Sequence, residues 1–200
     1  MKKISLIIKR IFDIFLSLIG LIILSPLFII LAILIKIDSD GPVFFIQERL
    51  GQYGRVFNIL KFRTMVVNAE NIGDGISLRS SSDPRITKVG KFLRKYSLDE
   101  LPQLINVLVG DMSLVGPRPP VTYTPYDGYG NYPDWAKARF IFKPGITGLA
   151  QVTVRNSVFW DERIKIDLEY IDSFNIILDF EILLKTLVKA INSDSVYMRQ

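Results

Sequence analysis

Residues 9–38 read KRIFDIFLSLIGLIILSPLFIILAILIKID, and the way this stretch meets its surroundings decides the fold. From residue 14 to residue 35 there is no formal charge, and Leu, Ile and Phe dominate. As a straight helix rising about 1.5 Å per residue, the run is long enough to cross a bilayer core of ~30 Å. Its flanks argue for another course. Lys2, Lys3, Lys9 and Arg10 precede it and Lys36 follows it, so a crossing would export a dense cationic cluster against the positive-inside bias. Pro26, preceded by Ser25, falls near the middle, where it deletes a helix hydrogen bond and crowds the preceding turn. The Ser25 hydroxyl can satisfy the carbonyl so freed, which makes a bend tolerable in lipid. Residues 1–38 are therefore expected to form a re-entrant membrane helix-break-helix, with Ser25 and Pro26 at the bend. A kinked spanning helix is the alternative. A cleavable signal peptide fits less well, because the apolar core is too long and no small-x-small site precedes Lys36.

Beyond the membrane block, Asp38-Ser39-Asp40-Gly41-Pro42 is a polar turn that opens a second unit, residues 39–200. Residues 43–49 and 55–65 read as two strands around a Gly51-Gln52-Tyr53-Gly54 turn. On the second strand Phe57, Ile59, Lys61 and Arg63 share a face that turns from apolar to cationic. Residues 71–84, rich in Gly, Ser and Asp, are expected to form a mobile loop. Ile86, Val89, Leu93 and Tyr96 make the stripe of a short amphipathic helix, and Leu101, Leu104, Ile105 and Leu108 mark another. Residues 121–135, crowded with Tyr, Pro and Gly, suggest a surface loop or lid. Helical spacing returns at Trp160, Ile164, Leu168 and Ile171, then at Phe180, Leu183, Leu184, Leu187, Val188 and Ile191. The expected fold class is α+β: a small, helix-rich domain with a short β-hairpin, attached to the N-terminal membrane element.

What the composition lacks narrows the chemistry. With no Cys there is no disulfide, thiol nucleophile or thiolate metal site, and with no His the imidazole bases and usual zinc ligands are gone. Catalysis must rest on carboxylates, Lys, Arg, Tyr or hydroxyls, with a hard oxygen-bound cation such as Mg²⁺ the natural helper. A net charge of +5 favours anionic partners: phosphates, nucleotides or an acidic lipid surface. The cations follow no nucleic-acid-binding motif, so no nucleic acid is expected as a partner.

Ser97-Leu98-Asp99-Glu100-Leu101-Pro102-Gln103-Leu104 is the most informative segment downstream. Ser97 with Glu100 three residues on fits a capping box, with Asp99 complementing the helix dipole and Pro102 near the first turn. The same placement suits phosphate chemistry. A helix start attracts phosphate oxygens, and an ionised Asp beside a bound phosphate is a competent nucleophile for an acyl-phosphate. Because neighbours on a helix project about 100° apart, Asp99 and Glu100 cannot flank one bond as a glycosidase pair does. They must divide the labour. In Gly116-Pro117-Arg118-Pro119-Pro120 the prolines restrict the backbone around Arg118, which suits a guanidinium to bidentate phosphate recognition or to a rigid turn. Residues 144–152, PGITGLAQV, form a Gly-punctuated loop where a ligand can approach the backbone, with Arg155 just beyond.

Together these segments resemble the monotopic phosphoglycosyl transferases, also called bacterial sugar transferases. The resemblance covers residues 9–191 and rests on the apolar block with Ser25-Pro26, Lys61-Phe62-Arg63-Thr64-Met65, Leu98-Asp99-Glu100-Leu101-Pro102-Gln103-Leu104, the stretch GDMSLVGPRP at 110–119, and residues 144–152. It implies a two-step, Mg²⁺-dependent reaction. Asp99 attacks the β-phosphate of a UDP-sugar, releasing UMP, and polyprenyl phosphate then takes the phospho-sugar. Glu100 would position metal or acceptor, so that Asp99 and Glu100 are the candidate metal ligands. Lys61, Arg63, Arg94, Arg118 and Arg155 would surround the phosphates. The implied setting is the bacterial inner membrane, with the catalytic domain on the cytoplasmic face, lipid as a partner and a homodimer as a candidate assembly. Two other readings stand beside it: a non-catalytic nucleotide-sugar-binding subunit, and a glycosyltransferase that moves sugar without phosphate.

Overall fold

The computed structural model describes residues 2–69, 83–154 and 157–191. In chain order it contains α1 (Lys2–Asp38), a hairpin of β1 (Phe44–Leu50) and β2 (Val56–Phe62), α2 (Lys88–Lys95), α3 (Gln103–Val109), β3 (Ser113–Val115), α4 (Asp134–Lys137), β4 (Gly145–Thr147), α5 (Leu149–Thr153), α6 (Trp160–Ser173) and α7 (Ile176–Ile191). The class is α+β, helix-rich, as the sequence implies. Most of the loop expected at 71–84 lies outside the described residues, as does Arg155.

Helix α1 is continuous for 37 residues with Pro26 inside it. Pro26 has no N–H to offer the carbonyl of Ile22, and Ser25 Oγ donates to that carbonyl at 2.8 Å. The element expected as helix, break and helix thus stays helical, its missing rung replaced by a hydroxyl. Its facing is inverted relative to a soluble helix. Lys9, Asp13 and Ser17 are buried against the rest of the chain, while Ile4, Ile7, Ile11, Phe15, Ile22, Ile23, Ile30 and Ile33 are exposed. Residues 4–38 are long and apolar enough to meet a bilayer, and that outward surface is consistent with membrane association.

Each polar group on the inner stripe before Ser17 has a named partner. Lys9 Nζ donates to Asp179 Oδ2 of α7 at 2.6 Å, and Tyr170 OH donates to the other oxygen of Asp179 at 2.7 Å. Arg10 donates to the carbonyls of Val107 and Leu108 at 2.6 and 3.0 Å, closing the C-terminal end of α3. Asp13 Oδ1 accepts the Leu114 amide at 3.0 Å. Further along, Leu31 and Ile35 join Phe62 and Leu93 in an apolar core, with Leu27 and Phe28 beside them.

The hairpin pairs antiparallel with Phe45 opposite Lys61 and Arg49 opposite Phe57. Asn106 of α3 laces onto its edge, accepting the Leu60 amide at 3.0 Å and donating to the Asn58 carbonyl at 2.8 Å. Strands β3 and β4 form a parallel pair that the sequence does not announce, since three-residue strands show no alternation to read. Beyond them Gly116 meets Gly145 and Gly148 so closely that a Cβ on Gly145 would stand 2.1 Å from the Gly116 nitrogen. The glycines of residues 144–152 let chain approach chain here, while Ile146, Thr147, Ala150, Gln151 and Val152 of the same stretch line a cleft. Residues 121–135 are also fastened rather than a free lid. Tyr132 is buried among Leu50, Ala136, Phe140 and Ile164, and Leu50 N donates to Pro120 O at 3.0 Å.

Asp179→Ala should strand Lys9 in a buried setting and cost about 3–5 kcal/mol. Pairing it with Lys9→Met should recover most of that loss. Chemical unfolding in detergent checks both; an Asp179→Ala protein as stable as the parent would remove the role given to this pair.

Candidate active site

Three chain segments converge on Glu100. Ser97 adopts a left-handed turn (φ 56°, ψ 24°) that ends the α2 region, and Leu98–Glu100 follow as a short 3-10 turn before α3. The capping box suggested by Ser97 and Glu100 does not form. Ser97 makes no side-chain cap, and the Glu100 carboxylate is engaged elsewhere. Lys61 Nζ, from β2, donates to Glu100 Oε1 at 2.6 Å, and Arg118 NH2, from the turn after β3, reaches the same oxygen at 3.3 Å. These two cations hold Glu100 well below the usual carboxylate range, overcoming the opposing effect of burial.

Asp99 is treated differently. Among the described residues its carboxylate makes no hydrogen bond and no ion pair. Burial is the main influence on it and raises its pKa to about 6, against the attraction of Lys61, Arg94 and Arg118, while the neighbouring Glu100 pushes in the same direction as burial. Two adjacent carboxylates are thereby made unlike. Glu100 is a fixed anion that orients two cations. Asp99 is an unpaired and poorly solvated one, with the electron density a nucleophile needs.

Both face a cleft of about 1050 Å³. Arg94, in its wall, is set by the close crossing of α2 over the end of β2. A Cβ on Gly90 would stand 2.0 Å from the Thr64 carbonyl oxygen, and only that approach lets Arg94 Nε donate to Thr64 Oγ1 at 2.7 Å. Arg118 also lines the cleft and is partly exposed, as a residue meeting a soluble anion must be. Arg63 is placed otherwise than the sequence suggests. It is buried, and its guanidinium donates to the carbonyls of Asp40 at 2.6 Å and Ser39 at 2.7 Å, clasping the end of α1. Two of its donors serve that helix end, while its Nε has no partner among the described residues and the residue also borders the cleft.

The structure adds residues that the sequence reading passed over. Arg139 pairs with Asp167 at 2.6 Å and donates to the Arg118 carbonyl at 2.8 Å, while its Nε and NH1 have no partner among the described residues. Arg163 lies beside Trp160, 5.3 Å from the ring centroid, with its own Nε unpartnered. All four of these side chains line the same cleft. Arg163 and Asp167 stand four apart on the inner side of α6, next to the Trp160-Ile164-Leu168-Ile171 stripe. Ionisable residues adjoining an apolar stripe were the available signal.

No group of three acidic side chains gathers among the described residues, so no protein cage for a metal is built there. Asp99 and Glu100 are the acidic side chains that would hold a hard cation such as Mg²⁺ at this cleft.

Several known proteins are similar in sequence to this chain. A galactosyl transferase of Streptococcus agalactiae is 47% identical over 91% of this chain and 42% of its own length. An undecaprenyl-phosphate galactose phosphotransferase of Salmonella typhimurium is 42% identical over 98% of this chain and 43% of its own. A UDP-glucose:undecaprenyl-phosphate glucose-1-phosphate transferase of Caulobacter vibrioides is 39% identical over 94% of this chain and 72% of its own. The chain thus spans about two fifths of the length of the first two. The bacterial sugar transferase family model matches residues 4–193, and the chain belongs to that family.

Proposed function

We propose that this protein transfers a sugar-1-phosphate from a UDP-sugar to a polyprenyl phosphate through a phospho-sugar ester on Asp99. The observation that carries the reading is the contrast between neighbours: Glu100 clamped by Lys61 and Arg118, Asp99 in the same cleft without an ion pair among the described residues. An Asp99 oxygen attacks the β-phosphorus, and the bond to the bridging oxygen breaks, so that UMP leaves with the electron pair. A phosphate oxygen of the acceptor then attacks the same phosphorus, the bond to Asp99 breaks, and the carboxylate is restored. Arg94 and Arg118 are suited to oppose the charge that gathers on the phosphoryl oxygens, with Arg139 and Arg163 further along the wall. Glu100 acts through the two cations it orients. A Mg²⁺ ion held by Asp99 and the donor diphosphate would supply further charge neutralisation. The activities named for the Salmonella and Caulobacter relatives support this reading. A simple glycosyltransferase is the competitor, in keeping with the name of the Streptococcus relative, and it would release UDP.

For α1 we infer a re-entrant course with both ends on the cytoplasmic face of the inner membrane. What supports it is contact on both sides of Pro26 with one and the same domain: Lys9 meets Asp179, and Leu31 and Ile35 meet Phe62. A crossing helix would pull one of those contacts into the bilayer. The re-entrant course keeps Asp99 where a soluble nucleotide-sugar and a lipid-borne acceptor can both arrive.

Asp99→Asn should lower UMP release from the cognate UDP-sugar by about 10³-fold or more. Near-parental release by the purified variant would disprove the nucleophile. In the parental protein, kcat/KM for the donor should be level above pH ~6 and fall tenfold per unit below it, because only the ionised carboxylate attacks. An ordinary Asp would keep the profile flat to about pH 4. For topology, cysteines placed at Ser5 and Ser39 should both resist an impermeant thiol reagent in intact cells and react once the membrane is opened. Labelling at Ser5 alone in intact cells would mean a crossing.

A further inference from the structure

The cleft does not end at its cationic walls. Past Asp99 it runs between α3, the β3–β4 pair and α7, where Leu101, Leu104, Leu114, Ile146, Leu183 and Thr186 line it. That set is uncharged, and Lys189, one turn beyond Thr186, is the charged side chain that α7 adds to the lining. We propose that this apolar arm holds the first isoprene units of the acceptor lipid and leads its chain from the bilayer to the phosphate site. The proposal rests on the reading of Asp99 given above and adds to it a route for the second substrate.

The arm lies directly behind the surface that suits lipid. Gly20 of α1 sits over Leu104, where a Cβ would stand 3.2 Å from Leu104 Cδ1, and Asp13 of α1 holds the Leu114 amide. On its other side α7 turns Leu183 and Thr186 toward the arm, and its neighbouring residues Leu184, Leu187 and Val188 are exposed. Those exposed residues continue the apolar exterior of α1, which reaches α7 through the edge-to-face contact of Phe12 with Phe180. An apolar path thus extends from the exterior of α1 and α7 to the dyad. The Thr147 and Thr186 hydroxyls bond to each other at 2.7 Å, so the β4–α7 seam presents satisfied rather than thirsty polar atoms.

Reaction geometry asks for such a second arm. If both displacements at phosphorus run in line, UMP departs opposite Asp99 and the acceptor phosphate must arrive from that same side. The two substrates therefore take turns among the same cations and differ in what trails behind. A nucleoside and an isoprenoid chain need separate room, one polar and one apolar. The cleft offers both, and the chain-bearing substrate has the side that opens toward lipid.

The test uses the intact protein in bilayer nanodiscs and an undecaprenyl phosphate analogue carrying a photoreactive group on its phosphate-proximal isoprene unit. Illumination should place the adduct on α7 or on the Leu101–Leu104 stretch, and excess undecaprenyl phosphate should suppress it. Adducts confined to the β1–β2 hairpin or to α2 would overturn the proposal. As an independent measurement, Leu183→Trp narrows the arm, and the same preparation is assayed with undecaprenyl phosphate and with geranyl phosphate. The ratio of kcat/KM for the long acceptor to that for the short one should fall by about tenfold or more relative to the parent. An unchanged ratio would also overturn it. UMP release by the parent without acceptor reports separately on the Asp99 reading: crosslinking at the arm without UMP release would keep the lipid route and remove the covalent step.

Discussion

The structure depends on a helix whose N-terminal half is apolar outside and polar inside. A soluble domain buries its aliphatic stripe; α1 instead buries Lys9, Asp13 and Ser17 and leaves its Ile-rich surface outward. Such a helix is stable only where two conditions hold together: a lipid-like medium against the exterior, and partners for each inner polar group before Ser17. The second condition organises the rest of the chain. Lys9 fixes α7 through Asp179, Arg10 closes the end of α3, and Asp13 fixes β3. These elements are the ones that carry or border the dyad. Membrane attachment and site geometry are one construction.

Within that frame, electrostatics distinguish two residues that are neighbours in sequence. Placing Lys61 and Arg118 on one oxygen of Glu100 pairs that carboxylate and leaves Asp99 without an ion pair among the described residues. The clamp also works in reverse, because Glu100 gives Lys61 and Arg118 fixed positions in a half-buried wall. Removing its charge would leave two cations facing each other without the carboxylate that both contact, so its contribution is greater than that of a lone hydrogen bond.

Much of this was legible beforehand, for stated physical reasons. The apolar block, the hairpin and the stripes of α2, α6 and α7 follow from periodicity, which needs only enough residues to repeat. Ser25 as the donor that relieves Pro26 followed from the chemistry of a missing N–H. Other features depend on distance in space and were not readable. Strands of three residues have no pattern, and the fit of Gly116 against Gly145 and Gly148 exists only once two remote segments meet. Arg63 looked like a phosphate ligand because it shares a face with Lys61, yet it lies just past the end of β2, where the carbonyls ending α1 are within reach. Glu100 fitted a capping box by spacing, but two cations from remote segments outbid the local amide. Arg139 and Arg163 were overlooked because each sits in a segment whose other residues describe packing.

The Lys9–Asp179 pair joins residues 170 positions apart, and that separation sets an order of events during synthesis. Helix α1 leaves the ribosome long before α7 exists; at about 5–20 residues per second the wait is on the order of 10 to 30 s. At first the inner stripe of α1 has no protein to answer it, while its apolar surface is complete from the start. Arg10 and Asp13 gain their partners when α3 and β3 emerge, and Lys9 gains Asp179 only with α7. The Lys9–Asp179 contact is thus coupled to the emergence of α7, well after α1 itself has been made.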